Sequence, residues 1–366
     1  MKKFERKSKE DRPVVAICYD FDKTLSPDDM QAQGYIQSVG WEVKDFWTRS
    51  NGLAEENGMD QNLAYMLTMK QTARGKFALN RENLVEYGSK VKLYPGVDAW
   101  FKRIRDYGKS KGVIVEHYII SSGLKEMIEG TKVAREFEKI YASSFYYDEA
   151  GEAIWPAQVV NFTGKTQFLF RICKGALDVN DPAVNDYFSP EDIRVPFRNI
   201  VYIGDSATDI PCMKLVNSNN GHSIGVYDPD TEEKERVFQM MEDNRIKYYA
   251  PADYREDSEL DQLVKAIIDR TVYNERHEEK HYGNKKEFID YKDNINHIDK
   301  EKKRLILALE NSGSFAETHS IIAKLKVYTN WSEDEKNALR KIRDSNSQVS
   351  YIYEDQDVKS FYESLG

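Results

Sequence analysis

The stretch Val14-Val15-Ala16-Ile17-Cys18-Tyr19-Asp20-Phe21-Asp22-Lys23-Thr24-Leu25 constrains this chain more than any other. Its apolar, β-branched start reads as a strand buried in a parallel sheet. The strand ends abruptly in two carboxylates two residues apart, with the Thr24 hydroxyl two further on. A buried strand has no structural use for that cluster, because like charges this close repel and lose hydration. It makes sense around a divalent cation, with one carboxylate serving as nucleophile and the other as general acid/base. Taken alone, the same Asp-x-Asp-x-Thr spelling also fits a surface turn.

Three more clusters bear on that choice. A second apolar run ends in Tyr118-Ile119-Ile120-Ser121-Ser122-Gly123. A hydroxyl at the carboxyl end of a buried strand can donate to a phosphoryl oxygen at the edge where such sheets bind ligands; by itself it also fits a helix N-cap. Lys165 follows Thr163-Gly164 at the start of an amphipathic helix, where it can hold negative charge or simply face solvent. The sharpest is Ile200-Val201-Tyr202-Ile203-Gly204-Asp205-Ser206-Ala207-Thr208-Asp209-Ile210. Again an apolar strand ends in two carboxylates, now four apart, with Gly204 letting the backbone turn closely.

The segments around these clusters alternate. Strands are expected at 113–120, 199–203 and 223–227, with a strand and hairpin within 142–160. Helices are expected at 97–107, 166–174, 210–216, 231–243 and 257–270. Such alternation implies a parallel sheet covered on both faces. Residues 28–92 interrupt it with helical text (Trp41, Phe46, Trp47, Leu63, Met66, Leu67, Met69), so they read as an inserted cap between core segments 1–27 and 93–270. Residues 271–366 read as a linker and a helical module: 273–303 is polar, followed by Leu305, Leu309, Ile321 and Leu325 and by a Ser332/Glu335 capping box. His277 and His281 stand four apart in the run His277-Glu278-Glu279-Lys280-His281, where they could share a helix face as metal ligands, and read as solvated helix surface.

Asp20/Asp22, Ser121, Lys165 and Asp205/Asp209 follow the order and strand-end placement of the four motifs of the haloacid dehalogenase (HAD) superfamily, which the chain resembles over about residues 12–270. With a helical insert between the first two motifs it is similar to the phosphoserine-phosphatase-type branch. The resemblance implies an α/β fold with a Rossmann-like parallel sheet, an inserted helical cap and, here, a C-terminal α-helical extension. It also implies an enzyme that hydrolyses a small phosphorylated metabolite through an aspartyl-phosphate. In that scheme Asp20 is the nucleophile, and Asp22 protonates the leaving oxygen and then activates water. Asp20, the backbone carbonyl of Asp22, and Asp205 hold Mg²⁺, a hard cation suited to oxygen ligands. Ser121, with Ser122 beside it, meets the phosphoryl group, Lys165 neutralises it together with Asp20, and Asp209 orients Lys165. Thr24 belongs to the substrate-binding loop and pins it. Related phosphatases often read Gly-Asp-Gly-x-Asn-Asp in the fourth motif. Here Ser206 and Thr208 replace the second Gly and the Asn, which puts the substrate contact of that Asn in doubt.

Asp22 separates this pattern from the transport ATPases of the superfamily, which carry Thr there, and from the dehalogenases, which lack the acid. A phosphomutase remains the alternative enzyme. A non-catalytic regulatory or binding protein, with the tail as its working part, is the alternative of another class. Net charge is −9, from 53 basic and 62 acidic residues, which argues against non-specific nucleic-acid binding. No run suits a membrane span, and Met1 to Pro13 lacks the apolar core of a signal peptide, so a cytoplasmic location is expected. Cys18, Cys173 and Cys212 are widely spaced within apolar segments and read as buried thiols. Gln31, Arg49, Lys70, Arg74 and Lys76 are candidate cap contacts to substrate, set against an ordinary solvated face. The tail offers a surface for self-association, for docking on the core, or for a protein partner.

Overall fold

The computed structural model describes residues 4–231 and 233–366. The chain divides into two units, Met1–His277 and Glu278–Gly366. The first is an α/β structure built on strands β1 (Val14–Tyr19), β2 (Ile114–Leu124), β3 (Lys139–Tyr147), β4 (Ala153–Gln158), β5 (Ile200–Gly204), β6 (His222–Tyr227) and β7 (Tyr248–Pro251). They form one seven-stranded sheet in the order β4-β3-β2-β1-β5-β6-β7. All pairings are parallel except β3 with β4, the expected hairpin.

β1 lies at the centre, paired with β2 on one side and β5 on the other, and every residue in it is buried. Its alternating side chains feed two cores. Val15, Ile17 and Tyr19 pack on one face, and Val14, Ala16 and Cys18 on the other. On the first face a chain of hydrogen bonds lets polar groups sit in the interior. Trp100 Nε1 donates to the Tyr19 hydroxyl at 2.7 Å, and that hydroxyl lies 3.0 Å from His117 Nδ1. His117 Nε2 in turn stands 3.2 Å from the carbonyl of Phe101. Burial lowers the His117 pKa to about 3, so the ring is neutral, donating from Nε2 and accepting at Nδ1.

Between β1 and β2 the chain forms α1 (Tyr35–Ser38), α2 (Val43–Asn57), α3 (Gln61–Ala73), α4 (Arg81–Ser89) and α5 (Val97–Ser110). Tyr35, Phe46, Tyr65, Met66 and Met69 of this helical insert join the same core as Tyr19 and Trp100. α6 (Lys125–Gly130) follows β2 and packs against α4 at glycine. A Cβ on Gly88 would stand 1.9 Å from the carbonyl oxygen of Met127, so no larger residue fits that approach. α7 (Thr166–Lys174), α8 (Ile210–Ser218) and α9 (Glu235–Glu242) complete the layers, and all three cysteines are free and buried.

Two expectations are corrected here. β7 extends the sheet past the last expected strand: Ile224 to Tyr227 of β6 pair with Tyr248 to Pro251. A four-residue edge strand ending in proline carries too little alternation to be seen in sequence. The polar stretch read as a linker is continuous helix. α10 runs Glu259–Glu310, 52 residues, through all of 271–303.

The second unit comprises the end of α10 with α11 (Phe315–Leu325), α12 (Glu333–Ser345), α13 (Ser347–Tyr351) and α14 (Gln356–Ser364). Its core is Leu305, Leu309, Ile321, Ile322, Leu325, Leu339, Val349, Val358 and Phe361. The expected capping box opens α12: Glu335 N–H donates to Ser332 Oγ, and Ser332 N–H to Glu335 Oε2 at 2.8 Å. Among the described residues no helix is long and apolar enough to cross a membrane.

Candidate active site

Register brings the four sequence clusters to one place. Tyr19, the last residue of β1, pairs with Ile119 of β2 and Ile203 of β5. The Asp20 N–H then donates to the Ile203 carbonyl at 2.9 Å. Asp20, Ser121 and Asp205 therefore leave three adjacent parallel strands at the same edge. Because β1 sits where the strand order reverses, this is the crevice in which open α/β sheets bind ligands.

Lys165 reaches this edge from the turn before α7 and is completely buried. Its Nζ donates to Asp209 Oδ1 at 2.7 Å, to Asp20 Oδ1 at 3.2 Å and to Thr208 Oγ1 at 3.2 Å. Asp209 is fully engaged: the Tyr202 hydroxyl donates to Oδ1 at 2.8 Å, and the N–H and Oγ of Ser206 donate to Oδ2 at 3.1 and 3.0 Å. Gly204 makes this possible, since a Cβ there would stand 2.6 Å from Asp209 Oδ2. Asp22 Oδ1 accepts the Met30 N–H at 2.8 Å.

The cluster is short of positive charge. Burial, with Asp209 adding and Lys165 opposing, pushes the Asp20 carboxyl up to about 6. Asp22 is raised well above the usual range by burial, Asp29 and Asp20, and Asp205 by burial, Asp209 and Asp20. Burial works against the Lys165 ammonium, but Asp20 and Asp209 outweigh it and hold its pKa above the ordinary value. Asp20, Asp205 and Asp209 each offer an oxygen, all within 4.8 Å of one another. An all-oxygen set of desolvated carboxylates fits a hard divalent cation. Since both oxygens of Asp209 already accept hydrogen bonds, Asp20 and Asp205 are the members of that set with room for an ion. The Asp22 side chain is not a member of that set.

A cavity of about 670 Å³ opens above these groups, lined by Asp20, Asp22, Ser122, Asp205 and Thr208. Of the paired serines, Ser121 is buried with its Oγ accepting the Gly123 N–H at 3.1 Å. Ser122 is the one on the cavity wall, but its hydroxyl is turned inward, buried and without a partner among the described residues. Thr24 is completely buried and does not line the cavity; its carbonyl accepts the Tyr254 hydroxyl at 2.8 Å, which ties the loop down.

None of the five candidate contacts from the insert reaches this wall. Gln31 is buried, Lys70 donates to the Ile154 carbonyl at 3.0 Å, Lys76 donates to the Val39 carbonyl, and Arg49 and Arg74 face solvent. The reason is the direction of α3. Its N-terminus is docked at the site, with Asn62 Nδ2 donating to the Val160 carbonyl at 2.7 Å and the Tyr65 hydroxyl to that of Ser122 at 2.9 Å. Gln61 thus lines the cavity, while residues 70–76 lie at the far end of the helix. Phe162, Arg236 and Arg245 also line it. Phe162 has a left-handed backbone (φ 39°), a conformation costly for a bulky residue, and it is 43% exposed. Arg236 Nη1 donates to Asp205 Oδ2 at 3.2 Å. Nothing local in the sequence marks these three. A basic pair flanking an apolar helix is the only trace that α9 leaves.

A family model described as haloacid dehalogenase-like hydrolase matches residues 17–214. An uncharacterised protein of Borreliella burgdorferi is 26% identical over 276 residues, covering 68% of this chain and 94% of its own. Among solved structures, a HAD family hydrolase from Salmonella enterica serovar Typhi is 17% identical, with a TM-score of 0.45, over 71% of this chain and 73% of that one. A phosphoserine phosphatase solved as a phospho-aspartyl intermediate analogue is 14% identical, with a TM-score of 0.42, over 70% of this chain and 99% of that one.

Proposed function

This chain belongs to the haloacid dehalogenase-like hydrolases, and from that premise we propose that it hydrolyses a phosphomonoester of a small molecule through an aspartyl-phosphate on Asp20. The observation that carries the reading is the Lys165 ammonium, fixed between Asp20 and Asp209 beneath a cavity onto which Asp22 and Ser122 also open. A buried cation at that point holds the nucleophilic carboxylate in place and offsets the charge of an incoming phosphoryl group.

In the first step an oxygen of Asp20 bonds to phosphorus while the bond to the ester oxygen breaks, and Asp22 gives that oxygen its proton. In the second, Asp22 takes a proton from water as the water oxygen bonds to phosphorus. The bond to Asp20 breaks and phosphate is released. Ser121, whose Oγ accepts the Gly123 N–H and keeps its own proton to donate, and Ser122 beside it on the cavity wall are the hydroxyls for a phosphoryl oxygen at the end of β2. Asp209 positions Lys165, and Tyr202 and Ser206 position Asp209. Asp20, Asp205 and the backbone carbonyl of Asp22 would hold Mg²⁺, which when bound offsets the charge of the carboxylates and of the phosphoryl oxygens. Residues 28–92 act as the cap over this chemistry, with Asp29 and Gln61 as their contacts to the cavity.

The test is hydrolysis of p-nitrophenyl phosphate with Mg²⁺, abolished by EDTA and restored by added Mg²⁺. Asp20→Asn should bring turnover to the assay floor with the fold intact. Asp22→Asn should slow breakdown of the phosphorylated enzyme by roughly 10²-fold or more. Turnover that survives chelation, or that persists in Asp20→Asn, overturns the reading.

A further inference from the structure

Every described side chain from residue 283 to 300 of α10 is exposed. Helix of this kind gets no help from tertiary packing, which supplies most helical stability in proteins. Its own sequence supplies little in return. Gly283, Asn284, Asn294 and Asn296 are poor helix formers, and among the described residues no ion pair joins side chains between 276 and 300.

The same stretch carries four large apolar residues in one row. Phe288, Tyr291, Ile295 and Ile298 are spaced by three, four and three, and are exposed by 60, 65, 38 and 43%. Continued at that spacing the row reaches Lys302, Leu305 and Leu309, all buried in the second unit. One seam therefore runs along the helix, closed by packing at its C-terminal end and open over 288–298. A repeat of 3.5 residues is the period of helices that supercoil around each other, with the row at positions a and d.

We propose that the open seam pairs with the same seam of a second copy of this chain, as a short parallel two-helix coiled coil over residues 288–298. The flanking charges fit this partner. With Phe288 at a, Glu287 falls at g and Lys292 at e, so each Glu287 faces Lys292 of the second copy, twice by the two-fold symmetry. Towards the N-terminus the a and d positions become His281 and Asn284, and Lys280 would face Lys285, which bounds the seam at about Phe288.

Sedimentation velocity of the full chain over a concentration series tests this. The expected result is a monomer–dimer equilibrium, with Ile295→Lys raising the dissociation constant at least about 100-fold, because each dimer loses two buried isoleucines. Asp293→Lys, on the opposite face of the helix, should leave the equilibrium in place. Glu287→Lys should weaken it, and Glu287→Lys with Lys292→Glu should restore it. Amide hydrogen exchange over 286–300 should slow as concentration rises. A monomer at every concentration overturns the proposal, and so does protection of these amides that ignores concentration, because the cover would then lie within the same chain. An assembly larger than two that Ile295→Lys dissolves overturns the two-helix form.

Discussion

The two units treat buried polar groups in opposite ways. In the first, Asp20, Lys165, Asp205 and Asp209 crowd together at the sheet edge, and Glu116 and Arg194 are buried as well. In the second, the buried polar groups among the described residues are Lys302, Ser312 and Thr318. The two hydroxyls bond to each other at 3.0 Å and to nearby backbone carbonyls, and Lys302 bonds to Glu335 and the Asn330 carbonyl. Desolvated like charges cost folding energy, so a unit that retains them is arranged around something other than its own stability. Among its described residues the second unit, built of aliphatic and aromatic contacts and helix caps, contains nothing of that kind.

The contrast breaks most directly at Lys165. Lys165→Met leaves Asp20 and Asp209 buried without their cation, and should cost about 3–5 kcal/mol of the first unit's stability along with turnover. Hydrogen exchange resolved by segment should show the loss around β1 and β5, with α11–α14 unchanged. If the variant melts like the wild type, the carboxylates are not held by charge balance. The converse substitution is Leu309→Ala, which opens a cavity in the second unit's core and should cost about 2–5 kcal/mol there. Hydrolysis of p-nitrophenyl phosphate should be unaffected; a parallel fall in kcat would mean that the second unit supports the site.

Acid sharpens the comparison further. Glu116 is buried, yet Arg194, Lys7 and Tyr118 hold its carboxyl down at about 2. A depressed carboxyl contributes stability that is complete above about pH 4.5 and is lost as pH falls from there towards 2. Melting temperature recorded between pH 5 and 2.5 should fall more steeply for the wild type than for Glu116→Gln, and equal slopes would remove Glu116 from the acid response. The smallest expected effect lies in the second unit. Ser332→Ala removes one side of the α12 capping box and should cost about 1 kcal/mol, measured by denaturant unfolding.

What could be read in the sequence was whatever one stretch of chain decides by itself. β1 announced itself because six apolar residues run straight into Asp20 and Asp22, and β5 did so in the same way before Asp205. Their strand-end carboxylates met in space because parallel register aligns strand ends. Gln61, Phe162 and Arg236 were invisible because their places depend on how the insert, the turn before α7 and α9 dock against that edge. α10 was misjudged for a related reason. Its middle is polar except for one narrow seam and Ile289 beside it, and polarity resembles a linker until the 3.5-residue spacing is noticed.

One hydrogen bond joins chemistry to architecture. The Met30 N–H that Asp22 accepts belongs to the first turn of the insert. Gly123 closes the same corner: a Cβ there would meet Met30 Cε at 2.4 Å and Asp22 Oδ2 at 3.0 Å. Any displacement that carries Met30 away from the sheet releases Asp22 in the same stroke. In the proposed mechanism the acid would therefore keep its aim only while the entrance to the insert is seated, which would make the orientation of a proton carrier a readout of whether the roof of the site is in place.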